Sequence, residues 1–220
     1  MKDRKGYDAV TTNKEQILAK LRNAVLEKPE AMFEDIDLQS DTWNPINEED
    51  GNAITFVQKF KDMGGIFIYL ESESELGECL HQLAPQNEWE PLWCANPEMQ
   101  SLLEKYGVSF SAEPDTSRKR LVSLMPCDYL IAQTGSIVLT DGKAGSRNAY
   151  TDCDVLLVVA HTNQIVGGLK EAMRQLKDHF GIQASQAVVI TGLTQTYAIE
   201  QEAVKGVFGA RQIAVFLVDD

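Results

Sequence analysis

Two short stretches of this chain combine hydroxyls and glycines in a way suited to holding an anion. One is Thr134-Gly135-Ser136; the other is Gly192-Leu193-Thr194-Gln195-Thr196. A glycine lets the backbone come close to a ligand, while hydroxyls and amide N–H groups can point at negative charge. The first stretch lies between two strand-like apolar runs. The second follows such a run and precedes a helix expected near Ile199. Ligands of open α/β sheets bind outside the carboxyl ends of strands, and a helix N-terminus adds partial positive charge there. The expectation is one small anion-binding cleft lined by Thr134, Gly135, Ser136, Gly192, Thr194 and Thr196. Arg147, in Gly145-Ser146-Arg147, is the cation expected at its edge, because a guanidinium can bond a carboxylate or phosphate bidentately. Glu200 reads either as a general base or as an acid favouring a helix dipole. The competing reading makes both stretches ordinary tight turns whose hydroxyls satisfy their own backbone, and Arg147 half of a surface ion pair.

Other chemistry has less support. Cys79, Cys94, Cys127 and Cys153 form no C-x-x-C pair, and no Cys/His cluster has zinc or iron–sulfur spacing. Buried free thiols and no metal are expected. Gly64-Gly65 and Gly167-Gly168 lack the spacing of a dinucleotide fingerprint, so no cofactor is assigned. His81 and His179 fall inside expected helices. His161 follows an expected strand and could reach a cleft, with no Ser or Cys partner to assign. Arg118-Lys119-Arg120 is a basic cluster of the kind most often found in a solvated turn.

The charge balance narrows the partners. Net charge is −13, and the span from Glu27 to Glu90 holds 16 acidic and 3 basic residues, whereas the rest holds 17 of each sign. Phosphate-backbone binding needs the opposite sign, so nucleic acid is not expected. The acidic span reads as a solvated face or as a docking surface for a basic partner. The polar start has no apolar signal-peptide core, and no apolar run approaches membrane-spanning length. A cytoplasmic protein with no membrane insertion is the expectation; homo-oligomerisation stays open.

The elements that would position these residues follow from hydrophobic spacing. Ile17, Leu18, Leu21, Val25 and Leu26 predict a helix over 13–27. Residues 28–50 read as an irregular acidic connection, so residues 1–50 form an N-terminal segment and 51–220 an α/β domain. Within the latter, helices are predicted over 53–63, 73–83, 97–107 and 163–180. Strands are predicted at 66–70, 92–95, 129–132, 137–140, 155–160, 187–191 and 213–218. Ser72 and Glu75 stand in capping-box register. Apolar runs separated by helices argue for an α/β layer fold with a mixed, largely parallel sheet flanked by helices. The tight Thr134–Ser136 connection adds one antiparallel hairpin.

The segment Cys127-Asp-Tyr-Leu-Ile-Ala-Gln-Thr-Gly-Ser-Ile-Val-Leu139 resembles the core of LUD-domain proteins of the LutC type. Gly145-Ser146-Arg147, Val155 to Ala160, Gln164-Ile165-Val166, Thr191 to Glu200 and Lys205 to Ala210 resemble the segments that follow in that family. The pattern departs at Gln133, Leu193, Thr194, Ala198, Phe208 and Ala210, which marks a divergent member. The resemblance implies a fold similar to the NagB/RpiA/CoA-transferase group. It also implies a role near the oxidation of L-lactate to pyruvate, with iron–sulfur oxidoreductase subunits as partners. Three functions are therefore weighed. One is an accessory subunit of a lactate-utilization system with a cleft for a small anionic metabolite. Another is a stand-alone enzyme or sensor of the same fold, taking a small carboxylate or sugar phosphate. The third is a purely structural interaction protein that uses the acidic N-terminal third.

Overall fold

The computed structural model describes residues 13–26, 51–180, 185–197, 203–205 and 209–219. The expected acidic connection, the helix near Ile199 and Glu200 lie outside the described residues. The chain divides into two compact units, 1–42 and 43–220. In the first, α1 (Asn13–Leu26) holds Ile17, Leu18 and Leu21 at helical spacing.

The second unit opens with α2 (Gly51–Asp62), β1 (Ile66–Leu70), α3 (Glu73–Gln86), β2 (Leu92–Trp93), α4 (Pro97–Lys105) and β3 (Phe110–Ser111). β4 (Val122–Pro126), β5 (Tyr129–Ile131), β6 (Ser136–Thr140), the short α5 (Asp141–Ala144) and β7 (Val155–His161) follow. The chain then forms β8 (Ile165–Val166), α6 (Leu169–Phe180), β9 (Ala187–Ile190), β10 (Gln195–Tyr197), β11 (Ala203–Lys205) and β12 (Gln212–Val218). The helix starts are encoded locally. The Ser72 hydroxyl accepts from the Glu75 N–H at 3.3 Å, and the Asn96 side chain accepts from the Met99 N–H at 2.9 Å, each satisfying a donor that the first helical turn leaves open.

The main sheet has six strands in the order β1-β12-β7-β4-β2-β3, all parallel. Its central strands are buried on both faces, and side chains alternate between two cores as the period of two requires. Leu156, Val158 and Ala160 of β7 join Ile213, Val215 and Leu217 of β12 in one core, with Phe56 and Phe60 of α2. Val155, Leu157, Val159, Ala214, Phe216 and Val218 face the other core, under Leu76 and Leu80 of α3 and Leu103 of α4.

The expected hairpin is present as β5–β6, but it belongs to a separate four-stranded sheet, β8-β5-β6-β9, rather than to the main one. β4 ends at Pro126; the Cys127 N–H still donates to the Val159 carbonyl at 3.0 Å, and the chain then turns into the second sheet. One face of that sheet, with Leu130, Ile137 and Leu139, closes the first core. Tyr129, Ile131 and Val138 on the opposite face pack with Ala172 and Leu176 of α6.

Two sequence expectations need correction. The helix expected from Asn163 begins at Leu169. Ile165 and Val166 instead pair with Leu130 and Ile131 as a parallel strand, and Gly167-Gly168 separates that strand from the helix. The second concerns β4, a fully buried strand that the apolar pattern does not announce. Ser123 interrupts its run, yet the hydroxyl is satisfied in the core by donating to the Trp93 carbonyl at 3.3 Å.

Candidate functional site

The Thr134–Ser136 turn and the end of β9 are neighbours. β6 and β9 pair antiparallel with Ile137 opposite Ile190. Just beyond that pair the Ser136 hydroxyl lies 2.7 Å from the Thr191 hydroxyl and 2.6 Å from that of Thr134. Gly135 has φ +64, and a Cβ built there would stand 2.5 Å from the Phe60 backbone nitrogen. Gly192, at φ +68, would place a Cβ 2.7 Å from that of Met63. Both glycines therefore serve the close approach of the two loops to α2 and the residues that follow it. The hydroxyls of Thr134 and Ser136 are engaged with one another and with Thr191.

Arg147 stands at the other end of β6. Its Nε and Nη2 lie 3.2 Å and 3.1 Å from Asp141 Oδ2, and it also donates to the Ser185 hydroxyl. Asp141 directly follows β6, so the length of that strand, roughly 13 Å at the usual rise, separates Arg147 from the Thr134–Ser136 turn. The Ser185 hydroxyl bond above all, then the Gln186 and Ser185 N–H groups and the Arg147 charge, hold the Asp141 carboxyl at about 2.

Gly192 and Thr194 do line a cleft, of about 410 Å³, opposite Tyr150, Asp152, Gly209 and Ala210. Val188, Ile190, Leu156 and Ile213 form its apolar floor. The Tyr150 hydroxyl is buried and has no hydrogen-bond partner among the described residues. Burial pushes its pKa up, Asp141 adds to that, and Arg147 opposes it. Arg147 does not line this cleft. The Thr134–Ser136 turn is not part of its lining. Thr196 lies in β10, and Glu200 is outside the described residues.

A second cleft, of about 460 Å³, opens at the carboxyl ends of β4 and β7, where Pro126, Val159 and His161 line it. Two lysines, Lys105 and Lys143, and two glutamates, Glu73 and Glu98, also line it. Gln164 fastens its floor, donating to the Cys127 and Asp128 carbonyls at 2.7 and 3.1 Å while accepting from the His161 N–H at 2.6 Å. Lys143 is placed by α5. Thr140 caps that helix, and the Lys143 carbonyl accepts from the Asn96 side chain at 2.9 Å. The ammonium of Lys105 sits 5.0 Å from the centroid of the Tyr106 ring.

Asp128 lies nearby, 3% exposed. Its Oδ2 accepts the Thr140 N–H at 2.6 Å, and its Oδ1 is buried without a partner among the described residues. Burial raises its carboxyl pKa, against the Thr140 bonds and the Lys143 charge. The neighbouring Cys127 thiol is pushed up to about 12, also by burial, as is that of Cys153; Cys94 is pushed up to about 11. These thiols stay protonated at neutral pH and are poor nucleophiles. Among the described residues, no group of three His, Cys, Asp or Glu side chains could hold a metal ion. No described helix is long and apolar enough to cross a membrane.

The LUD domain family model matches residues 115–218. Residues 115–218 are a LUD domain. A crystal structure of a DUF162 family protein from Deinococcus radiodurans shares the fold, with a TM-score of 0.57 at 15% identity, over 79% of this chain and 99% of that one. No curated protein matches the sequence. The LUD domain supplies Lys143, His161, Gln164 and all of the Tyr150 cleft, whereas Lys105, Glu73 and Glu98 come from the chain before it. Sequence reading passed over Lys143, Lys105 and Tyr150. Lys105 resembled an ordinary cation at a helix C-terminus, and Tyr150 an ordinary core aromatic. The one available signal was Thr140-Asp141, an N-cap pattern that places Lys143 one turn into a helix.

Proposed function

We propose that this LUD-domain chain holds a small carboxylate at the carboxyl end of its six-stranded sheet. In this reading it serves as the LutC-like component of a lactate-utilization system beside iron–sulfur oxidoreductase partners. The observation that carries the reading is the convergence of Lys105, Lys143 and His161 on one cleft at the strand ends, where ligands of parallel sheets bind. Two ammonium groups from different helices favour a carboxylate between them, and the imidazole can donate to a second oxygen of a hydroxy or keto acid. Oxidising lactate removes two electrons that a redox cofactor must accept, and the partner proteins supply that acceptor. The chain's own part is to bind and orient the acid.

The test has two arms. Thermal-shift titration with L-lactate, pyruvate and acetate should raise the melting midpoint for the first two above that for acetate. Lactate oxidation with an artificial electron acceptor should appear only when the iron–sulfur partners are added. Equal shifts for all three acids, or turnover by the purified chain alone, would overturn the respective arm.

A second reading, a stand-alone enzyme or sensor of the same fold, is favoured by the unpartnered Tyr150 hydroxyl in the cleft with Thr194 and Asp152. There a ligand oxygen would accept from Tyr150. Tyr150→Phe should then weaken binding of any small acid, whereas Lys143→Gln should not.

A further inference from the structure

We propose that the groove at the amino ends of β4 and β12, opposite the carboxylate cleft, binds a phosphate-bearing small molecule. Arg118, Lys119 and Arg120 precede β4, and Arg211 precedes β12 from 91 residues further along the chain. The fold sets all four cations around one groove of about 650 Å³.

Three observations make this more than a solvated basic turn. First, the guanidinium groups are held in place. Arg120 donates to the Gln212 side-chain oxygen at 2.7 Å, and Arg118, half-buried, donates to the Pro91 carbonyl at 3.2 Å. Second, those anchors are neutral, so they orient the cations without cancelling their charge. Among the described residues, Arg118, Lys119 and Arg120 form no ion pair. Asp115 lies close enough to Arg118 for its acidity to feel the charge, but its carboxylate is engaged by Ser117. Among the described residues, Arg211 is the one of the four that forms an ion pair, with Asp154 at 3.7 Å. The second oxygen of Asp154 is occupied by the Leu121 N–H at 2.9 Å. Third, the chain as a whole carries 33 acids against 20 bases. In such a protein a groove with four cations and only two carboxylates, Glu88 and Asp154, is a local reversal of sign.

The ligand class follows from the same features. Guanidinium forks match the oxygens of a phosphate and bond them bidentately. A groove of this volume suits a small molecule. The acidic balance of the rest of the chain opposes a long polyanion such as nucleic acid, which would have to run beyond the groove. The site is independent of the carboxylate cleft, which lies at the other end of the same strands.

The experiment is calorimetric titration of the full chain at low ionic strength with inorganic pyrophosphate, inorganic phosphate and glycerol phosphate. Saturable binding is expected, weakening as salt is raised. Arg120→Gln and Lys119→Gln should each raise the dissociation constant by about tenfold for the loss of one charge-assisted contact. Lys119→Gln removes no hydrogen bond of the fold, and circular dichroism should confirm that both variants fold. Lys143→Gln, in the other cleft, should leave this binding unchanged, which separates failure here from failure of the carboxylate reading. Tighter binding of glycerol phosphate than of the inorganic anions would identify a phosphate ester as the ligand; the reverse would identify a free oxyanion. The proposal is overturned by absence of saturable binding to all three probes, or by equal binding to folded Arg120→Gln and Lys119→Gln.

Discussion

The hydroxyls of Ser136 and Thr191, 55 residues apart in sequence, lie 2.7 Å from one another. Ser136 is 1% exposed and Thr191 is exposed, so the contact is a part-buried polar link between the β5–β6 turn and the end of β9. Ser136→Ala should destabilise the protein by about 0.5–1.5 kcal/mol, because it removes a buried hydroxyl that bonds both Thr134 and Thr191. Gly135→Ala should cost more, about 2–3 kcal/mol, since its Cβ would press on the Phe60 backbone at a positive φ. Urea unfolding with an unchanged slope would measure both. If Ser136→Ala matched the parent, the hydroxyl chain would have no part in stability.

Asp128 should show opposite outcomes for two substitutions. Its folded pKa is raised, so folding favours the protonated form, and its ionisation lowers stability as pH climbs from the unfolded value toward the raised folded one. Asp128→Asn removes that penalty and can keep an acceptor for the Thr140 N–H. Stability at neutral pH should stay within about 1 kcal/mol of the parent or exceed it, with a flatter pH profile. Asp128→Ala leaves the Thr140 N–H unpaired and should cost about 1–3 kcal/mol. Thermal melts across the acid range distinguish the two.

Asp141 has the reverse sign. Its carboxyl is held at about 2 against an ordinary 3.8. Its contribution to stability is therefore complete above 3.8 and is lost as pH falls through 2. Asp141→Asn should flatten the acid limb of a stability–pH curve in that window by lowering the plateau above it toward the acid value. Arg147→Ala should barely move the melting midpoint, because the Arg147 side chain is 60% exposed and its ion pair is screened. A large drop would show that Arg147 has a structural role beyond this pair.

Lys143 and Lys105 should matter for ligand rather than for fold. Lys143→Gln and Lys105→Gln should each weaken binding of pyruvate by about tenfold without shifting the unfolding midpoint in the absence of ligand. Competition titration at constant ionic strength reads this directly. Unchanged affinity in both variants would remove the carboxylate cleft as the site.

Local chemistry alone was enough for much of this chain. Ser72 and Asn96 cap their helices because a side-chain oxygen three residues before an N–H needs no tertiary partner. The apolar runs of β7 and β12 announced strands buried on both faces, and the residues from Cys127 to Leu139 announced the family. Other features depended on where the chain goes next. Ile165-Val166 runs straight on into an amphipathic helical pattern, and its pairing with the edge of β5 is what makes it a strand. The glycines Gly135 and Gly192 looked ready for a ligand, yet they make room for α2, since a glycine records that something comes close but not what. Arg147 and the Thr134–Ser136 turn stand only eleven residues apart in sequence, yet β6 carries them to opposite ends. Lys105 and Lys143 line one cleft, and Arg120 and Arg211 one groove, across intervals that no spacing rule spans. Parallel strands return to the same end of a sheet only through long crossovers, so the residues gathered at either end come from distant parts of the chain.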